Sequence, residues 1–369
     1  MASFALDPEQ LKWCAQVREW AAERLRPLAE AGEPGRVNRP LLTALGELGL
    51  LDRLFSGTAL DLCLLRESLA RECTEAETAL ALQGLGAHAL LGSPDLAGRW
   101  IPRVVSGEAV AAFALTEPGA GSDAAALELA AEPAPSGGGW RLTGEKCWIS
   151  NAPDADLYTL FARTTPGAGA RGVTAFAVPA DRPGLGGERL DMLSPHPIGR
   201  VSFDAVAVGE ADVIGEVDRG FRVAMTTLNR FRPSVGAFAV GMAQAALDAA
   251  TAHAASRTAF GAPLKDLQSV SHGLAEMATR TEAARLLVYA AAEAYDAGSP
   301  GTARSSAMAK LFATETAQFA VDTAVQIHGA RALERGHLLE HLYREVRAPR
   351  IYEGATEVQR SIIAKELFA

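Results

Sequence analysis

The sequence predicts an α+β multidomain protein with an N-terminal α-helical domain, a middle antiparallel β domain and a C-terminal helical bundle. Apolar positions recur at helical spacing through residues 1–108. Short β-rich runs separated by Gly-rich turns replace them through residues 109–216, and long alanine-rich helical patterns fill residues 217–369. A chain of 369 residues, of which 49% are hydrophobic, is long enough to bury large cores in two or three domains.

Composition and charge exclude several classes of function. The net charge of -9 argues against non-specific binding to nucleic acid or to an anionic membrane. The best candidate for a membrane span, residues 235–247, is short and rich in Gly and Ala, so it predicts a buried helix. The N-terminus lacks the pattern of a signal peptide, and the four cysteines lack metal or disulfide spacing. We therefore expect a cytoplasmic protein without a metal site or a membrane span.

The first helix has a clear start signal. Asp7 is placed as the N-cap, Pro8 at the first helical position and Gln10 three residues after the cap. Further helices are predicted over residues 41–51, 59–71, 76–91 and 93–105, and in the C-terminal region over 236–255, 264–297 and 303–329. Strands are predicted over residues 140–144, 157–163, 173–178 and 201–206, with a Gly-rich turn over 136–139.

Two segments of the middle region have features of a ligand site. In Phe113–Asp123 we expect a strand that ends at Thr116, followed by a loop in which Gly119 and Gly121 let a ligand approach the backbone. A plain turn explains this loop equally well. In Gly144–Ala152, Trp148 and Ser150 are two residues apart and share one face of a strand. They form either one wall of a site for a planar polar ring or part of the core.

Two C-terminal segments allow similar alternatives. Arg257, followed by Phe260 and Gln268, either pairs with a phosphate group or is a solvated arginine at a helical corner. Gln326 precedes Gly329, which either belongs to a site or is simply a helix C-cap.

The segment Ile351–Gly354 is the most informative in the chain. It places Glu353 between an aromatic residue and a glycine, which is a poor surface pattern. The pattern indicates a carboxylate held in an apolar wall, where burial raises the pKa of the carboxyl group and makes it a general base. The alternative is a glutamate that only favours the dipole at a helix N-terminus.

Together, in this order and spacing, the five segments resemble the motifs of the acyl-CoA dehydrogenase family, over nearly the whole chain. The resemblance implies a C-terminal four-helix bundle, bound FAD and a homotetramer built as a dimer of dimers. It also implies an electron-transfer flavoprotein as the partner that accepts electrons. The substrate carrier is expected to be coenzyme A or an acyl carrier protein.

The resemblance also implies site residues. Glu353 would be the catalytic base that removes the α-proton of an acyl thioester while the β-hydride passes to flavin N5, giving the trans-2-enoyl thioester. The alternative position for a base in the family is Phe231 here, which cannot serve. Ser122, Arg232, Tyr352 and Gly354 would contact the substrate. FAD would contact eleven residues: Phe113, Leu115, Thr116, Gly121, Ser122, Trp148, Ser150, Arg257, Phe260, Gln268 and Gln326. Of these, Arg257, Phe260 and Gln268 would reach the FAD of a neighbouring subunit, and Gln326 would bind the adenosine part.

Four departures from the family pattern leave other functions open. Ala355 replaces a threonine, Ala330 a glycine and Asn229 an aspartate, and residues 51–59 resemble a shortened form of a loop near the acyl pocket. An oxidase that uses oxygen directly and a non-catalytic binding protein remain alternatives. A flavin monooxygenase is disfavoured because those relatives commonly lack the glutamate that Glu353 supplies.

Overall fold

The computed structural model describes residues 6–135 and 137–368, so the first five residues and Ser136 of the predicted turn lie outside the described residues. The helices are α1 (Pro8–Trp20), α2 (Arg26–Glu30), α3 (Arg39–Glu47), α4 (Arg53–Ser56), α5 (Ala59–Glu72), α6 (Thr74–Ala87), α7 (Pro94–Val105), α8 (Gly220–Ser256), α9 (Gln268–Asp296), α10 (Thr302–His328), α11 (Leu338–Glu345) and α12 (Thr356–Leu367). The strands are β1 (Ala111–Ala114), β2 (Ala130–Pro133), β3 (Gly139–Ser150), β4 (Leu157–Arg163), β5 (Val173–Pro179), β6 (Leu185–Arg189), β7 (Ile198–Gly209), β8 (Val213–Ile214), β9 (Thr258–Ala259) and β10 (Ala262–Pro263).

The predicted order of helices, then strands, then helices is confirmed. The start signal of α1 is a complete capping box, because the Asp7 carboxylate accepts from the Gln10 N–H at 2.8 Å and the Gln10 side chain accepts from the Asp7 N–H at 3.0 Å. The helix predicted over 41–51 is too long. It ends at Glu47 because Gly49 adopts a left-handed backbone with a φ of 72°.

The strands of the middle region form one eight-stranded sheet. Its order is β6-β7-β3-β2-β4-β5-β8, and β1 pairs with β4. Most neighbouring strands are antiparallel, as predicted, but β1 and β2 run parallel to β4. The separate strands β9 and β10 form a small hairpin.

The chain divides into two compact units. The first contains the residues up to Arg26, Gly57–Glu77 and the residues from Asn229 onward. The second contains Pro27–Ser56 and Thr78–Leu228, and so includes the eight-stranded sheet. The sequence boundaries 1–108, 109–216 and 217–369 remain a prediction.

Two glycines let α8 pack closely in the first unit. A Cβ atom at Gly241 would lie 2.6 Å from the carbonyl oxygen of Glu67 and 2.7 Å from Cβ of Ala70, both on α5. A Cβ at Gly236 would lie 2.7 Å from the Val288 side chain on α9. The core of this unit is accordingly rich in alanine, which keeps the helices close together.

In the second unit, helix α6 holds the short strand β1. The Gln83 side chain donates to the Ala109 carbonyl at 2.7 Å and accepts from the Ala111 N–H at 2.8 Å. A Cβ at Gly86 would lie 2.7 Å from the Ala111 carbonyl carbon, so only glycine permits this approach. The buried amide thereby satisfies backbone groups on either side of the start of β1.

Helix α8 is longer than the predicted segment over 236–255. It runs unbroken for 37 residues and includes Pro233. By length and composition it is apolar enough to cross a membrane, but 67% of its apolar stretch is buried inside the protein. Core helices pass the same test, so this is weak evidence for a membrane span.

We predict that Gly241→Ala lowers the free energy of unfolding by about 1–3 kcal/mol, because the new methyl group meets backbone that cannot move aside. The control is Gly273→Ala on α9, where a Cβ meets only the Thr323 methyl group at 3.7 Å. That change should be neutral or stabilise by up to about 1 kcal/mol. Thermal unfolding of both variants tests the prediction, and equal midpoints would contradict it.

Candidate active site

The Glu353 segment adopts a strained backbone just before α12. Glu353 has a φ of 50° and Gly354 a φ of 93°, both in the left-handed region. A non-glycine residue in this region costs about 1–3 kcal/mol and persists only where the surroundings impose it. Two buried side chains surround the segment: Lys310 on α10 and Gln359 on α12.

Positive charges act on the Glu353 carboxyl group in addition to burial, which the expected apolar wall did not include. Burial raises the pKa of this carboxyl group, and the positive charges of Arg66, Lys310 and Arg232 act in the opposite direction. Its Oε2 atom is buried and has no hydrogen-bond partner in the described part of the chain. The raised pKa favours uptake of a proton by Glu353, while the nearby positive charges still permit the carboxyl group to ionise.

Arg66 is the largest of these opposing influences, and sequence reasoning missed it. It is buried on α5, forms an ion pair with Glu77 of α6 and donates through Nη1 to the Ser234 hydroxyl at 2.7 Å. The Ser234 hydroxyl in turn donates to the Phe231 carbonyl at 2.6 Å. No motif in the sequence links residue 66 to residue 353, and only the packing of α5 in the first unit relates them.

Arg232 belongs to the same group of buried cations. It donates to the Asn229 side chain at 2.8 Å, its Nε atom has no partner in the described residues, and burial lowers its pKa. Glu353, Tyr352, Gly354 and Arg232 are thus in one unit, and the electrostatic effect of Arg232 reaches the carboxyl group of Glu353. Contact of Arg232 with a substrate stays a prediction.

In the second unit, a buried ion pair joins the two predicted ring-binding segments. Lys146 of β3 donates to Glu117 at 2.8 Å and to the Leu115 carbonyl at 2.9 Å. Glu117 also accepts the backbone N–H groups of Glu128 at 2.6 Å and Leu129 at 2.9 Å. The predicted strand end at Thr116 was wrong: β1 ends at Ala114, because the next carbonyls bond to residues of β3 instead of continuing the ladder.

Trp148 lies at a bulge in β3 and is exposed to solvent. The pairing register with β7 shifts between Lys146 and Ile149, and Trp148 has a φ of 55°. Trp148 is 47% exposed, whereas Cys147 and Ile149 on either side are buried. Ser150 is half-buried, and the face that Trp148 and Ser150 are predicted to share stays a prediction. An exposed indole held at a strained position fits a binding surface better than a core.

The remaining predicted residues of this unit range from buried to exposed. Phe113 is half-buried and packs on Phe161, with ring centroids 4.9 Å apart, and Leu115 is buried. Thr116 is half-buried, and Ser122 is exposed. A Cβ atom at Gly119 or Gly121 would meet nothing within 4 Å, so the loop backbone is accessible.

The other predicted cofactor residues lie on exposed parts of the first unit. Phe260 is at the tip of the β9–β10 hairpin, is 94% exposed and has a φ of 53°. Arg257, Gln268 and Gln326 are also exposed. The ends of α8 and α10 meet near these residues, because the His253 and His328 rings stack at 4.1 Å. Gly329 has a φ of 67° and is the C-cap of α10, as the C-cap interpretation predicts.

The described residues contain no group of three or more His, Cys, Asp or Glu side chains that could hold a metal ion. All four cysteines are buried free thiols.

Comparison with known proteins shows which family this arrangement belongs to. The acyl-CoA dehydrogenase N-terminal, middle and C-terminal domain families match residues 7–108, 112–206 and 218–368 in turn. The chain belongs to the acyl-CoA dehydrogenase family.

Individual relatives resemble this family member over almost their whole length. Cyclohexane-1-carbonyl-CoA dehydrogenase of Geobacter metallireducens is 34% identical over 367 residues, which cover 95% of each chain. The structure of butyryl-CoA dehydrogenase from Megasphaera elsdenii is 30% identical, with a TM-score of 0.93 and full coverage of both chains. The FAD complex of PigA is 26% identical, with a TM-score of 0.92 over 100% of this chain and 99% of that one. The family predicted from the motifs is confirmed, and the chain is an enzyme of that family.

We predict that Lys146→Met destabilises this acyl-CoA dehydrogenase by about 3–5 kcal/mol, because it leaves the buried Glu117 charge without its partner. Thermal unfolding measures the effect. The control is Lys12→Met at an exposed position of α1, which should change stability by less than about 0.5 kcal/mol. A Lys146 variant as stable as this control would show that the ion pair does not organise the loop.

Proposed function

We propose that this enzyme removes a hydrogen from each of the α- and β-carbons of an acyl-CoA thioester, with FAD as cofactor, and releases the trans-2-enoyl thioester. The observation that carries the proposal is the Oε2 atom of Glu353, which is buried, lacks a hydrogen-bond partner in the described chain and belongs to a carboxyl group influenced by three cations. Membership of the family supports the same chemistry.

Glu353 acts as the base that accepts the α-proton. Because burial raises the pKa of its carboxyl group, the bound proton is held more firmly than by an exposed glutamate, which favours proton abstraction from carbon. The base must be ionised to act. Activity should therefore fall as the pH decreases through this raised pKa, and the acid limb of the pH profile should lie above the ordinary glutamate value of 4.5.

The residues present fit FAD. Trp148 offers an exposed indole face for a planar ring, and Gly119 and Gly121 leave their backbone open to a close approach. Arg257 is an exposed cation suited to a pyrophosphate group, and Phe260 is free to pack against a ligand. When bound, FAD supplies the acceptor for the β-hydride. Phe113, Leu115, Thr116, Ser122 and Ser150 would orient the ring, and Gln326 would bind the adenosine part. Arg257, Phe260 and Gln268 would reach the FAD of a neighbouring subunit.

We also propose partners on the basis of the family. Electrons would leave through an electron-transfer flavoprotein, and the chain would assemble as a homo-oligomer, with a dimer of dimers as the expected form. The carrier of the acyl group would be coenzyme A, with an acyl carrier protein as the alternative that a substrate screen decides. The four free thiols support a reducing, cytoplasmic location.

We predict that Glu353→Gln retains FAD but lowers turnover by roughly 100- to 10,000-fold, because the amide cannot accept the proton. The control is Glu357→Gln, an exposed carboxylate on the first turn of α12, which should leave turnover unchanged. The assay mixes each purified protein anaerobically with acyl-CoA and acyl carrier protein thioesters and follows bleaching of the oxidised-flavin band. Bleaching by Glu353→Gln at the wild-type rate would mean that another group is the base.

Turnover assays of the wild-type protein with an added electron acceptor, and separately in air, distinguish the competing functions. Turnover that needs an added electron acceptor supports a dehydrogenase, whereas stoichiometric peroxide in air identifies an oxidase. A colourless protein that takes up no FAD would support a binding role and overturn the proposal.

We further predict that Arg257→Ala weakens FAD binding by roughly 10- to 100-fold, because a charge-assisted hydrogen bond to a phosphate is lost. If this residue reaches the cofactor of a neighbouring subunit, the dimer should also dissociate more readily. Flavin content and light scattering measure the two effects. The control is Arg171→Ala, an exposed arginine of the second unit. Full flavin content and intact oligomers in the Arg257 variant would contradict the assignment.

A further inference from the structure

The backbone on both sides of the base is held by two buried side chains. Lys310, fully buried on α10, donates through Nζ to the Tyr352 carbonyl at 3.0 Å and to the Gly354 carbonyl at 2.8 Å. These carbonyls precede and follow Glu353, so a single ammonium group links the two ends of the strained segment. Lysine supplies up to three donors, and two of them are used here.

Gln359 holds the same segment from α12. Its side-chain nitrogen donates to the Glu353 carbonyl at 3.3 Å and to the Gly354 carbonyl at 2.8 Å. It is fully buried, and a Cβ atom at Gly354 would lie only 2.4 Å from this nitrogen. Glycine at position 354 is therefore needed for the φ of 93° and also for the approach of the amide.

Every carbonyl from Tyr352 to Gly354 thus accepts a hydrogen bond from one of two buried side chains. A left-handed glutamate would relax to a more extended backbone unless such bonds oppose it. Relaxation would move both the carboxyl group and the peptide N–H of Glu353. We infer that Lys310 and Gln359 are positioning residues that hold the backbone of the base in its working conformation, an inference that rests on the proposed function of Glu353.

Lys310 has a second effect that Gln359 lacks. Its ammonium charge favours the ionised form of Glu353, while burial and Arg232 lower the pKa of Lys310 itself to about 8. Glu353, Arg232 and Glu315 are the charged groups that influence it. Removal of the ammonium charge should raise the pKa of Glu353 and move the acid limb of the kcat/KM profile to higher pH. Removal of the neutral Gln359 amide should leave that limb in place.

The test compares Gln359→Leu, Lys310→Met and Lys310→Arg with the control Lys365→Met, an exposed lysine of α12. Rates are measured per bound flavin, with kcat and KM separated over a range of pH. Both Gln359→Leu and Lys310→Met should lose kcat on the order of 100-fold through misplacement of the base, with little change in KM. Only Lys310→Met should shift the acid limb upward. Lys310→Arg keeps the charge, so it should lose kcat without that shift. This variant tests the positioning role of Lys310 if Lys310→Met does not fold.

Wild-type kcat per bound flavin in Gln359→Leu and in the folded Lys310 variants would overturn the inference, even if thermal stability fell, because a purely structural role moves only stability and flavin content. Glu353→Gln, assayed in parallel, distinguishes failure of the positioning role from failure of the proposed function. If Glu353→Gln is inactive while the Lys310 and Gln359 variants are normal, only the positioning role fails. If Glu353→Gln is as active as the wild type, the proposed function fails and the positioning inference with it.

Discussion

The proposed site depends on a carboxyl group, that of Glu353, which has a buried oxygen atom and is still able to ionise. Burial alone would hold the proton on Glu353 and make it useless as a base. Three buried cations, Arg66, Arg232 and Lys310, offset this effect, and each comes from a different helix of the first unit. The helices must therefore pack closely enough to bring these charges together, which the glycine contacts of α8 allow.

Both units use a buried lysine to organise a functional segment. Lys310 donates to main-chain carbonyls beside Glu353, and Lys146 donates to the Leu115 carbonyl and to Glu117. In each case burial lowers the pKa of the lysine to about 8 while a nearby acid opposes that shift. A lysine in this role fixes the path of a loop and places a positive charge there, which a neutral donor such as Gln359 does not do.

Departures from the family pattern have local structural consequences. Ala355 occupies the N-cap of α12 and makes no side-chain cap bond. The next residue, Thr356, donates instead to Glu315 at 3.3 Å, and Glu315 also pairs with Arg350 at 3.0 Å. The start of α12 is thus anchored to α10 through a side-chain network, which helps to place Gln359 despite the missing cap.

The sequence by itself determined the order of helices and strands, the capping box of α1 and the family of the chain, because these depend on local periodicity and on short motifs in fixed order. Its errors were at the ends of elements: at Gly49 a left-handed turn stops α3, and after Ala114 the chain leaves the sheet to bond with β3. Only the tertiary structure decided the surroundings of Glu353. Arg66, Glu77 and Lys310 are far from it along the chain, and a single charged residue in a helical pattern does not indicate which buried group it will face. Burial and charge proximity are properties of packing, so the ionisation of the base could be read only from the folded protein.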